Sequence, residues 1–163
     1  MDLSIHGWPV IALEADPTLH CFAIPGVRQR ELTVRTDIGP YLVSFAAEYH
    51  RRIAPLDIGI MDTWSWVEPR LGRASTKVSD HSAGVAIDLN ATKEGAQDRS
   101  NFDAFWRQPA TWAALHDLRA EYPLLEWGGD YETFYDPMHW TFKDAVTKED
   151  VLHAIDSMKI RLD

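Results

Sequence analysis

Two short stretches carry residue types that could do chemistry. The first is SDHSAGVAIDLN, residues 79–90; the second is WGGDYETFYDPMHWTF, residues 127–142. GVAIDLN reads as a strand whose side chains alternate between two faces. Val85, Ile87 and Leu89 make an apolar core face, and Ala86, Asp88 and Asn90 the floor of a polar cleft. Gly84 lets the backbone turn or approach a neighbour closely. His81 stands just before the strand, at the turn, and meets Asp88 only if that turn folds it back over the sheet. A zinc ion gives both residues a reason to be there, because it takes neutral imidazole nitrogen and carboxylate oxygen.

Two ligands do not make a site. His50, His116 and His153 fall on helical segments among charged neighbours and read as surface residues; His6 and His20 lie in an irregular N-terminal region as surface or hydrogen-bonded groups. His139 differs. It enters a strand three residues after Asp136, with Pro137 stiffening the link. A carboxylate three residues from a metal-bound histidine can reach water on that metal and act as general base.

The elements that must position these residues follow from periodicity and turn chemistry. RQRELTVRT alternates as a half-buried strand, with Leu32 and Val34 on one face. DIGPYLVSFAAEYHRRIAPL reads as a helix with Asp37 as cap, Pro40 in the first turn, and Leu42, Phe45, Ala46, Tyr49 and Ile53 as its core face. DIGIMDTW is a short apolar strand, VEPRLGRASTK a loop, and ATKEGAQDRSNFD a polar loop. PATWAALHDLRAEY is a helix, LLEW and MHWTF are strands, and GGD is a turn. Thr147 caps a final helix, TKEDVLHAIDSMKI, with Val151, Ile155 and Met158 facing inward. Helices and strands mix without β-α-β alternation, which predicts an α+β fold: a small, mainly antiparallel sheet covered by helices.

Together the two motifs, S-x-H-x-x-G-x-A-x-D and W-G-G-D…D-P-M-H, resemble the zinc peptidases of bacterial cell-wall turnover, the D-Ala-D-Ala carboxypeptidase / L-Ala-D-Glu endopeptidase family. The resemblance looks closest to the peptidase modules of phage lysins, and it implies a Hedgehog/DD-peptidase-like fold. It makes His81, Asp88 and His139 ligands of one Zn2+ and Asp136 the catalytic base, at a position where many relatives carry Glu. It assigns oxyanion stabilisation to an upstream arginine, Arg70 by preference and Arg73 as the alternative. Ser79 matches the motif serine as a supporting hydrogen bonder. Asp130 is a turn residue or part of the cleft rim, and Trp127 and Trp140, which flank the site, are core residues or, as the lesser reading, substrate contacts or supports of the site. The implied reaction is hydrolysis of a stem peptide of peptidoglycan, first as an L-alanyl-D-glutamate endopeptidase of endolysin type, alternatively as a D-alanyl-D-alanine carboxypeptidase or dipeptidase. A catalytically silent wall-binding or virion module is the reading of another class; the intact set of ligands and base argues against it.

Composition narrows the field further. The chain has 163 residues, a length suited to one domain spanning 1–163, with residues 1–30 as an irregular segment packed on it. A net charge of −9 without a Lys/Arg cluster excludes nucleic acid as an expected partner. No apolar run is long enough to insert in a membrane. Cys21 is the single cysteine, with no internal disulfide partner, and reads as a small buried or half-buried hydrophobe. The N-terminus has no basic start and no small-residue cleavage site. The expectation is therefore a monomer made in the cytoplasm that reaches the wall by holin-type release.

Overall fold

Leu42, Phe45, Ala46 and Tyr49 recur at helical spacing, and in the computed structural model, which describes residues 2–56, 60–69 and 78–162, they form the buried face of α1 (Gly39–Arg52). Pro40 occupies its first turn, where a missing N–H costs nothing. The cap is Ile38 rather than Asp37. Asp37 lies one residue further out, where its carboxylate accepts from the Ile38 amide at 2.9 Å and pairs with Lys148 at 2.6 Å.

Two small antiparallel sheets flank this helix. One pairs β1 (Leu19–Ala23) with β2 (Glu31–Arg35), and Leu32 and Val34 of β2 enter the core. The expected irregularity of residues 1–30 is thus corrected at β1. That strand buries only Leu19 fully, so it shows no apolar alternation in the sequence; pairing with β2 creates it. Cys21 sits on β1 and is exposed, not buried, with its thiol donating to Glu31 at 3.1 Å.

The second sheet positions the site. It contains β3 (Ala86–Asp88), β4 (Leu125–Trp127) and β5 (His139–Phe142), in the order β3-β5-β4. Register pairs Ala86 with Thr141, Asp88 with His139, Glu126 with Thr141 and Trp127 with Trp140. Opposed residues of an antiparallel pair share a face. Ile87, Trp127, Trp140 and Phe142 therefore point one way, and Ala86, Asp88, Glu126, His139 and Thr141 the other. The first face meets the aromatic ridge of α1: Phe45 lies 4.5 Å from the Trp140 ring centroid, and Tyr41 5.9 Å from that of Phe142. The second face is left for chemistry.

Among the described residues, three more helices complete the α+β architecture. The expected polar loop at 91–103 contains the start of α2 (Arg99–Phe105). Asp98 caps it by accepting from the Ser100 amide at 2.9 Å, and Phe102 and Trp106 bury the side chains that anchor it. α3 (Pro109–Glu121) buries Leu115 and Leu118, whereas Trp112 stays exposed. α4 (Lys148–Ser157) opens with a reciprocal Thr147–Asp150 capping box and buries Val151; Met158 lies outside the core. Part of the strand expected at 57–64 falls outside the described residues. Its end runs extended beside β3, where Trp64 and Asp88 exchange both backbone hydrogen bonds, at 2.8 and 2.9 Å.

Candidate metal centre

His81 reaches the sheet face because the chain before β3 coils tightly. Residues Asp80–Ala83 form a 3-10 turn, and Ser79 caps it by accepting from the His81 amide at 3.3 Å. This local cap is the structural role of the motif serine. The turn ends at Gly84, whose φ of +68° lies in the left-handed region that residues with a Cβ avoid. Val85, Ile87 and Leu89 then enter the core as the alternation requires. Asn90 departs from the expected cleft floor: the strand ends at Asp88, and the buried Asn90 amide donates to the Pro55 carbonyl and to Glu94.

The folded-back turn brings His81, Asp88 and His139 together. His81 Nε2 is 3.2 Å from Asp88 Oδ1 and 3.2 Å from His139 Nδ1, and His139 Nδ1 is 3.1 Å from Asp88 Oδ1. Atoms bound about 2.0–2.1 Å from one tetrahedral centre lie about 3.3–3.4 Å apart, so this near-equilateral triangle has the dimensions of one face of a zinc site. His81 Nδ1 donates to the Ser65 carbonyl at 2.7 Å, which leaves Nε2 as the lone-pair atom aimed at its two neighbours. Atoms this close need shared protons or a cation among them, and a cation would satisfy all three at once. Two imidazoles and one carboxylate are also a donor set that zinc takes. The residues present fit the ion.

Charge is distributed accordingly. Burial pushes the Asp88 carboxyl up, but hydrogen bonds from His139 and His81 outweigh it and hold the group well below the usual carboxylate range. Burial works against a charged His81, yet the Asp88 hydrogen bond and charge raise its pKa.

Asp136 lines the same cleft, which has a volume of about 500 Å³. Its backbone is fixed twice: its amide donates to the Gly128 carbonyl at 3.0 Å, and its own carbonyl accepts from the His139 amide at 3.0 Å. Gln97 donates to its carboxylate at 2.9 Å. The base candidate is thereby held beside the third ligand candidate.

Other expected residues lie elsewhere. Trp127 and Trp140 are 1% and 0% exposed and stack on each other at 5.7 Å on the core face, so the reading of substrate contact is corrected. Full burial of such rings contributes about 2–3 kcal/mol each, which makes them packing residues. Asp130, next in the chain to the cleft-lining Tyr131, is exposed and pairs with Arg119. Arg70 and Arg73 lie outside the described residues.

The cleft wall also contains residues that sequence reasoning passed over. His6 Nδ1 donates to Asp80 at 2.6 Å, and its Nε2 lies 3.3 Å from Glu126. The Asp80 hydrogen bond raises the His6 pKa against burial, with Glu126 and Asp144 adding to the effect. Tyr131 donates to Glu126 at 2.6 Å; burial and that neighbour push its phenol far up, so it remains a donor. No local signal marks His6, because its partner is 74 residues away.

Residues 73–142 match the family model for D-alanyl-D-alanine carboxypeptidase. The matched stretch is less than half of the chain; it carries both motifs and supports the zinc peptidase family that the sequence resemblance implied. No curated protein and no solved structure gives a significant match.

Proposed function

We propose that the protein is a one-zinc metallopeptidase of peptidoglycan stem peptides, and that its first activity is L-alanyl-D-glutamate endopeptidase cleavage. The observation that carries this reading is the 3.1–3.2 Å triangle of His81, Asp88 and His139 donor atoms with Asp136 in the same cleft. When bound, zinc supplies a Lewis acid that acidifies water to a pKa of about 7 and polarises a carbonyl. Asp136 takes a proton from the attacking water and returns it to the leaving amine, so the C–N bond breaks to a carboxylate and an amine. Arg70, or Arg73 in its place, stabilises the oxyanion.

The whole chain acts as one catalytic domain, as a monomer, on the wall after holin-type release. D-alanyl-D-alanine carboxypeptidase activity is the second reading, favoured by the description of the matching family. Mass spectrometry of digested peptidoglycan separates the two. New N-terminal D-Glu ends mark the endopeptidase, and loss of terminal D-Ala marks the carboxypeptidase. Elemental analysis of protein purified without chelator is expected to give one zinc per chain, and Asp88→Ala to remove most of it. A zinc-free wild type that digests walls fully would sink the metallopeptidase reading.

A further inference from the structure

Antiparallel pairing places one more side chain in the row of the metal ligands. Trp64 and Asp88 are directly opposed and exchange both backbone hydrogen bonds, and Asp88 is in turn opposed to His139. Directly opposed residues share a face, with Cβ atoms about 4.5–5.5 Å apart. The row on this face of the sheet is therefore Trp64, Asp88, His139. Gly128 continues β4 past Trp127, and Asp136 packs over it: a Cβ on Gly128 would stand 2.2 Å from the Asp136 carbonyl oxygen. Trp64 and Asp136 thus flank the ligand pair from opposite ends.

The exposure of Trp64 is not that of a loose loop. The backbone around it is bolted at each step: Ala91 donates to the Asp62 carbonyl at 2.8 Å, Ser65 accepts from Thr33 and from His81, and Trp66 donates to the Thr33 carbonyl at 3.0 Å. On this rigid support the Trp64 side chain remains 46% exposed. A large indole held in solvent, one side chain from a catalytic ligand candidate, is unusual for a packing residue. Met61 and Val67, three residues to either side in the chain, are exposed as well.

We infer that Trp64 is the platform for the acyl side of the scissile bond, taking the alanine methyl and the apolar face of the sugar ring to which the stem is linked. This rests on the endopeptidase reading above. Asp136 returns the proton to the leaving amine, so the amine side lies at its end of the row and the acyl side at the Trp64 end. The residue before an L-Ala–D-Glu bond is the one attached to the sugar. An indole face complements the C–H face of a pyranose, and its two torsions make ordering inexpensive.

The test compares wild type, Trp64→Ala, Trp64→Phe and Trp64→Leu on a muramyl-linked stem peptide and on the same peptide without sugar. Trp64→Ala is expected to raise KM about tenfold on the sugar-linked substrate and less than about threefold on the free peptide, with kcat within about threefold of wild type. Trp64→Phe is expected to restore most of the affinity, and zinc content to be unchanged throughout. An unchanged KM, an equal change on both substrates, or a loss confined to kcat or zinc overturns the assignment. Should Trp64→Ala fail to fold, Trp64→Leu, apolar but without a ring face, is read by the same criteria. Failure of the endopeptidase reading is distinct: wild type would then release no D-Glu amine from either substrate, and the Trp64 assignment falls with it.

Discussion

Asp136, the proposed base, sits at a backbone position that one glycine makes possible. Gly128 has no room for a methyl group, since its Cβ would lie 2.2 Å from the Asp136 carbonyl oxygen. Gly128→Ala must displace the backbone at Asp136, and a shift of about 1 Å at a catalytic group costs on the order of 100-fold in rate. We expect that variant to lose kcat on this scale while retaining zinc, measured by peptide release and metal content together. Asp136→Asn should lower kcat by about 10²–10⁴-fold, again with zinc retained, because the ligand triangle does not include it. Wall clearance at the wild-type rate by Asp136→Asn would remove Asp136 from the mechanism. At this scale the sequence was legible where chemistry is local: His81 and Asp88 are seven residues apart, and Asp136 and His139 three. His6 and Trp64 were not, because only pairing between distant segments brings His6 to the cleft wall and Trp64 beside Asp88.

At the level of elements, β3 depends on how the chain enters it. Gly84 closes the 3-10 turn at φ +68°, and an added Cβ would stand 2.8 Å from Leu19 Cδ2 and 3.1 Å from the Arg35 amide nitrogen. Gly84→Ala is expected to cost about 1–2 kcal/mol from the left-handed backbone alone, read as a lower midpoint in urea denaturation. An unchanged midpoint would show that the turn tolerates a side chain. Periodicity revealed α1, α3 and α4 because each carries apolar residues at helical spacing. It missed α2, whose sequence is polar apart from its phenylalanines and whose helix is set by the Asp98 cap and by burial of Phe102. It missed β1 for a related reason: an edge strand with one fully buried residue has no face to show.

Across the whole molecule, one ion pair ties the start of α1 to α4. Asp37 pairs with Lys148 at 2.6 Å and with Arg35 at 3.4 Å. Burial raises the Asp37 carboxyl, but the Lys148 hydrogen bond and the Arg35 charge outweigh it and hold the pKa below the usual value. The folded value lies below the unfolded one of about 3.9, so the stabilisation is complete above that pH and fades as pH falls through the folded value. Asp37→Asn is therefore expected to be less stable by about 0.5–1 kcal/mol at pH 7, a modest figure because Lys148 is half exposed. The thermal midpoints of the two proteins should converge as pH falls below about 4. A gap that persists in acid would mean that Asp37 acts through its backbone contacts rather than its charge.

The sequence by itself determined the fold class, the apolar face of β3, the identity of the ligand and base candidates and the family that their spacing resembles. These are short-range properties: alternation, helical period, capping and motif spacing are all written within about a dozen residues. Tertiary structure alone decided which aromatic residues are core and which are available. Trp127 and Trp140 stand beside the motif residues in the chain yet face the opposite side of the sheet, while Trp64, fifteen residues before Ser79, stands in the ligand row. The physical reason is that a strand assigns its side chains to faces by register with its neighbours, and register is a property of the folded sheet rather than of any one segment.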